Sequence, residues 1–367
     1  MATTLSSNPV IRLAAVGDLL LAPWPEGTPS LRDPGLVSPE IRDVFAGCGV
    51  VFANLECTLP GDGRCVATEP RVICTAELVR AVKATGIGVV SLANNHGFDC
   101  FEGGFQNLRG VLDEIGLPHF GAGMNLDEAT APALLQANGL RLAFLGAVDQ
   151  RSGAQQFATP NQWGVAPLDV DGLIRQIRDL RSDVDHVLVS VHWGEERFLI
   201  PSPAQIDQAH ALIDAGASMV IGHHPHVLQG LEMRNGAPIV YSLGNFFADE
   251  MHFADGGVIR WNRTGRTGAI LLAELSRDSV LNVRQQPTYD SGHMVELDQS
   301  GFGQRRIAKT GRAVARGVSL ARYRREYLYV KILKPIVEHL RWSQLSGLRP
   351  RHFWNALRGI LRMSKAN

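Results

Sequence analysis

The sequence is poor in cysteine, in long apolar runs and, towards its end, in acidic residues, and each shortage excludes something. Five cysteines occur in 367 residues: Cys48, Cys57, Cys65, Cys74 and Cys100. An odd number without a Cys-x-x-Cys pair argues against a disulfide framework and against a thiolate zinc site. They are expected to be reduced and mostly structural. No apolar stretch approaches the ~18 residues of a membrane-spanning helix. The opening residues Met1 to Pro9 hold neither the basic cluster nor the apolar core of a secretory signal, so a cytoplasmic chain is expected. Residues 301–367 contain 16 Lys and Arg but two acids, Glu326 and Glu338, whereas residues 1–300 hold 20 Lys and Arg against 34 Asp and Glu. A formal charge of zero thus hides an acidic body and a basic tail. With 45% hydrophobic and 20% charged residues, the composition is that of a globular protein able to bury a large core.

What is present is a repeated arrangement in which an apolar run ends in a polar or ionisable residue. Val10 to Val16 runs into Gly17-Asp18, Val50 to Ala53 into Asn54-Leu55-Glu56, and Ile87 to Leu92 into Ala93-Asn94-Asn95-His96. Arg141 to Val148 is closed by Asp149, and His186 to Val191 leads to His192-Trp193-Gly194-Glu195-Glu196. Ser218 to Ile221 delivers Gly222-His223-His224-Pro225-His226, and Pro238 to Leu243 ends in Gly244-Asn245. Helix signals lie between them. Ser38-Pro39 opens a short helix, Thr75 caps another that stops at Gly86, and Ser202-Pro203-Ala204-Gln205 is a capping box for a helix ending at Gly216. Asp99 is expected to cap Phe101 to Ile115, and Asp169 to Leu180 spaces Leu173, Ile174, Ile177 and Leu180 along one face. Strands alternating with helices predict a layered α/β domain, spanning residues 10–300. Gly268 to Leu275 and Val280 to Gln286 read as closing antiparallel strands. The extension, 301–367, reads as one or two basic amphipathic helices through Tyr323, Tyr327, Ile332, Ile336 and Leu340, broken at Pro335.

In open α/β sheets ligands gather at the carboxyl ends of the strands. Asp18, Glu56, Asn95, His192, His224 and His226 all fall there, and Pro225 stiffens the loop between two of the histidines. Oxygen and imidazole donors without thiolate favour one or two divalent Mn, Fe or Zn ions over a structural zinc. His96, titrating near neutrality, is the candidate general acid. Asp99 could touch His96 as well as cap its helix. Asn54, Asn94, His223, Glu195 and Asn245 are candidates for the substrate side, with Glu195 and Glu196 otherwise solvated loop charges.

These motifs, in this order, resemble those of CapA-type proteins, the bacterial capsule and poly-γ-glutamate synthesis proteins, whose domain is similar to the calcineurin-like metallophosphoesterases. The resemblance covers about residues 10–250. It implies a four-layer α/β/β/α sandwich and a metal-dependent hydrolase that attacks a phosphoester, or an amide, with metal-activated water. It also implies roles: Asp18 and His226 at a first ion, Glu56 in the place of the bridging carboxylate, Asn95, His192 and His224 at a second, and His96 as acid to the leaving group. Two positions depart from the phosphoesterase pattern. Asp-x-His is here Asp18-Leu19-Leu20, and Glu56 replaces an aspartate. The expected substrate is an anionic small molecule or polymer. A non-catalytic accessory protein is the alternative, and a nucleic-acid phosphodiesterase a weaker one. Basic residues interleaved with aromatics in 301–367 add the expectation of peripheral contact with the inner face of the membrane.

Overall fold

In the computed structural model, which describes residues 9–23, 32 and 35–334, two sheets face each other and helices cover the outer side of each. The first sheet has the order Val295–Leu297, Val280–Asp290, Thr267–Leu275, Ile11–Leu20, Val50–Asn54, Val89–Ser91, His119–Phe120. Asn245–Ala248 joins it beside the far end of Ile11–Leu20. The second has the order Leu231–Arg234, Ala237–Val240, Met219–His223, His186–His192, Leu140–Val148, Ala133–Ala137. The central strands of both are parallel; antiparallel strands close both edges of the second sheet and one edge of the first, whose other edge, His119–Phe120, pairs parallel.

Each layer follows from its side chains. Leu13, Phe52 and Phe120 of one sheet meet Phe144, Leu188 and Ile221 of the other. The Phe52 ring lies 5.7 Å from Phe144 and 6.0 Å from Phe120, centroid to centroid. Outside the first sheet, Val79 and Val82 of helix Ala76–Ala84 and Phe105 and Leu108 of helix Phe101–Glu114 complete a second core. Outside the other, Leu173 and Ile177 of Val170–Leu180 join Leu212 and Ile213 of Pro203–Asp214. The helices start where the chain supplies acceptors: Thr75 accepts from the Leu78 N–H, and Ser202 and Gln205 form a reciprocal capping box. This is the α/β/β/α order expected.

Two expectations are corrected. The first strand does not stop at Val16 but runs to Leu20, so Asp18 sits inside it, paired with Asn54 on one side and Asn245 on the other. Its extension has a partner the pattern did not show, the short strand Asn245–Ala248. Gly17 allows the approach, since a Cβ there would overlap the Gly244 carbonyl oxygen. Secondly, not all cysteines are reduced. Cys65 and Cys100 form a disulfide, while Cys48, Cys57 and Cys74 are free. At a sequence separation of 35, no spacing rule pairs these two; they meet because the loop after Glu56 folds back over the start of helix Phe101–Glu114, where the Val66 N–H donates to the Asp99 carbonyl at 2.8 Å. Disulfides persist in oxidising surroundings, so the cysteine count no longer argues for a reducing one. The extension is helical, as expected: Phe302–Ala315 packs Ile307 and Val314 onto the body, and Leu320–Tyr327 follows it. Pro335, Ile336 and Leu340 lie outside the described residues. Among those described, no helix is long and apolar enough to cross a membrane.

Candidate metal centre

Strand register brings the polar ends together. Asp18 lies level with Asn54, and Asn54 with Ser91, in the first sheet; Val148, His192 and His223 are level in the second. Both sheets therefore empty their carboxyl ends into one volume. Asp18, Glu56 and His192 have no solvent exposure there. Within it, Asp18, Glu56 and His226 place ligand atoms within 4.8 Å of one another, and so do Glu56, His192 and His224. Glu56 belongs to both groups, the place of a bridging carboxylate. Its Oε1 is buried without a hydrogen-bond donor among the described residues, 3.5 Å from His192 Nε2 and 3.7 Å from His226 Nε2. A buried carboxylate oxygen is costly unless paired. Facing two ring nitrogens, it fits a divalent cation with oxygen and imidazole donors.

The remaining polar residues brace this cluster. Asn54 donates through Nδ2 to Asp18 Oδ1 at 2.9 Å, and Asn94 donates to Asn54 Oδ1 at 3.2 Å and to the Leu55 carbonyl at 2.8 Å. Both asparagines are fully buried, so they face the ligands rather than solvent. His223 Nδ1 lies 2.9 Å from Asp18 Oδ1, and Asn245 Oδ1 lies 2.9 Å from His226 Nδ1, an arrangement that turns His226 Nε2 towards Glu56. The half-buried Asn95 sets its Oδ1 2.7 Å from His192 Nε2. The backbone is forced as well. His224 and His226 have φ of 92° and 55°, a region that costs a non-glycine residue about 1–3 kcal/mol. The His224 N–H donates to Asp18 Oδ2 at 3.2 Å and helps to hold it there.

Burial and charge divide the protons. Burial pushes the Asp18 carboxyl up, but bonds from His223 and His226 outweigh it and hold the group well below the usual range. Glu56 is pushed well above it by burial and by the charge of Asp18. Burial lowers His224 to about 4, and it also pushes His192 well down, so both are neutral at pH 7. Burial works against His226 too, yet the carboxylates of Glu56 and Asp18 lift it to about 10. Glu56 and His226 therefore pull on one proton in the metal-free protein.

His96 stands at the rim, its Nδ1 2.7 Å from Asp99 Oδ2. Asp99 does not cap the following helix; Cys100 occupies that position, and the same Asp99 oxygen accepts from the Val72 N–H at 2.8 Å. The two loop glutamates part company. Glu195 turns away to pair with Lys331 at 3.1 Å, whereas Glu196 places an oxygen within 4.8 Å of ligand atoms on His224 and His226. Sequence reasoning passed over Glu196. The only signal was its place three residues beyond His192-Trp193, shared almost equally with Glu195.

The four-layer sandwich, with carboxylates, an amide and imidazoles at its strand ends, has the arrangement that the resemblance to the metallophosphoesterases implies. The family described as "Bacterial capsule synthesis protein PGA_cap" matches residues 12–250, and this chain belongs to it. A PGA biosynthesis protein CapA from Bacillus subtilis is 31% identical over 275 residues, 74% of this chain and 70% of that protein. The capsule biosynthesis protein CapA of Bacillus anthracis is 39% identical over 178 residues, 47% of this chain and 43% of that one. A probable polyglutamine synthesis accessory protein of Mycobacterium tuberculosis is 33% identical, covering 54% and 56%. Among solved structures, the NAD nucleotidase of Haemophilus influenzae superposes with a TM-score of 0.47 at 12% identity, over 85% of this chain and 57% of that one.

Proposed function

We propose that this chain is a metal-dependent hydrolase acting on a phosphoester or amide bond of an anionic capsule or envelope polymer. The observation that carries the reading is the buried, undonated Glu56 Oε1 between two imidazoles, below an intact His96–Asp99 pair. Asp18, Glu56 and His226 would hold a first ion, and Glu56, Asn95, His192 and His224 a second. Bound there, divalent ions supply Lewis acidity and ionise water near neutral pH. Asn54, His223 and Asn245 keep the ligand atoms aimed. Asp99 holds the His96 ring so that Nε2 is free to pass a proton to the departing group. Glu196, beside His224 and His226, adds a negative charge to the cluster.

Hydrolysis of a generic phosphodiester by Mn-loaded protein, with metal content measured alongside, tests the reading. His224→Ala and Asp18→Ala should each weaken metal binding by more than the roughly 10–100-fold that loss of an outer partner costs. Full metal content in both variants would refute the assignment. Proton release gives an independent check. Since His226 is charged at pH 7 in the metal-free protein, uptake of an ion should expel about one proton, and affinity should strengthen roughly tenfold per pH unit as pH rises towards 10. Calorimetry in buffers of different ionisation enthalpy reads this directly; a heat independent of buffer would contradict it.

A second reading, a non-catalytic accessory protein for polymer synthesis, rests on the buried Leu20 where the phosphoesterase pattern has histidine. Metal binding without turnover on any ester or amide would favour it.

A further inference from the structure

The helical tail, which lies outside the residues that match the family, forms a second concavity against the body. Helices Phe302–Ala315 and Leu320–Tyr327 enclose about 590 Å³ against Leu199 and Ile200. Lys309, Arg312, Arg316 and Arg325 line it; all four are exposed, and none makes a side-chain hydrogen bond or ion pair among the described residues. The acid among the lining residues, Glu326, accepts from the Leu199 N–H at 3.1 Å through Oε1 and is outnumbered by the cations around it. Arg322 is also engaged: it donates to the Ala313 and Gly317 carbonyls at 2.9 and 3.2 Å, closing one helix end and fixing the angle at which the next departs. Past residue 334 the sequence offers one further acid, Glu338.

Four like charges around one hollow repel each other, and an anion in the hollow relieves that repulsion. Guanidinium forks suit carboxylate and phosphate alike. The rest of the chain is acidic and would repel a polyanion elsewhere. The hollow is also joined to the metal centre. Leu199 and Ile200 in its wall belong to the same loop as Glu196, and that loop is strapped at four points. The Arg197 N–H donates to the Pro225 carbonyl at 2.8 Å, Gln229 Nε2 to the Phe198 carbonyl at 2.9 Å, Lys331 pairs with Glu195, and Phe198 packs on Tyr323 and Tyr327.

We infer that this hollow is a subsite for a stretch of flexible anionic polymer, several units along from the bond presented to the metal centre. Its catalytic purpose rests on the hydrolase reading; its binding rests on the tail alone. The tail thus supplies the cations that let an acidic domain grip an anionic chain.

Equilibrium binding to the full chain, stripped of metal, separates the two. The probes are fluorescently labelled poly-L-glutamate and inorganic polyphosphate of similar length. Arg312→Glu/Arg325→Glu should weaken polymer binding by at least about tenfold and flatten its salt dependence. Arg305→Glu/Arg324→Glu, an equal charge change on exposed positions outside the hollow, should weaken it less than about threefold. Both variants should keep wild-type circular dichroism and metal content. Binding of either polymer in this pattern supports the subsite, and preference between them assigns carboxylate or phosphate. Equal losses in the two variants, undiminished binding in the first, or binding confined to phosphatidylglycerol vesicles overturns it. A chain with no turnover at all would still give this answer.

Discussion

His96→Ala should slow cleavage of an ester with an alkoxide leaving group by roughly 10²–10⁴-fold, the usual worth of a positioned general acid. The geometry limits what else the change can do. His96 belongs to none of the clustered ligand groups, so bound metal should stay at the wild-type level. Its ring is tied at Nδ1 to Asp99 and its N–H to Asn94 Oδ1 at 3.1 Å, so its removal frees one carboxylate that still holds the Val72 N–H. The diagnostic is the leaving group. A nitrophenolate departs without a proton, and its ester should lose far less. Measured across a series of leaving groups, the logarithm of the rate should fall more steeply with leaving-group pKa in the variant. Equal losses for every leaving group, or loss of metal, would remove His96 from this role.

The second large effect is on stability. Replacing both Cys65 and Cys100 by serine should cost roughly 3–4 kcal/mol, from the loop closed by a bridge across 35 residues. For a chain of this size that is a fall of about 5 °C in the thermal midpoint. Cys100 is buried and adjoins Asp99, while Cys65 is half-buried on the returning loop, so the bridge also fixes the approach of Val72 to Asp99. A thiol reductant should lower the wild-type midpoint to that of the double variant and leave the variant unmoved. A wild-type midpoint indifferent to reductant, with a double variant equally stable, would show that the bridge bears no load.

Much of the site was legible because parallel strands buried on both faces read as unbroken apolar runs, and each run here stops at its functional residue. Val187 to Val191 before His192, and Met219 to Ile221 before the histidines, announce themselves in this way. Asp18 was found for a reason only partly right, since it is inside a strand whose last partner is four residues long and lies more than two hundred residues away. Edge strands such as His119–Phe120 and Val295–Leu297 are too short to show a period. The choice between Glu195 and Glu196 was invisible because it depends on a turn: Gly194 and Arg197 both have positive φ, and that turn points one carboxylate at the histidines and the other at Lys331. Asn54, Asn94 and His223 were visible as polar residues at strand ends, but only burial reveals that they hold ligand atoms in place. The disulfide pairs two residues that nothing local relates.

The two sheets carry different ligands: Asp18 lies within a strand of one and Glu56 just after its neighbour, while His192 ends a strand of the other and His224 and His226 follow the next. The thickness of the layer between the sheets is therefore also the gap between carboxylate and imidazole donors. Phe52 sits in that layer against Phe120 and Phe144, and its ring meets His223 edge-on at 5.8 Å. Protein interiors compress very little. The phenylalanine stack is thus the ruler of the candidate metal centre, and the fit of an ion there would be decided partly by residues that never touch it.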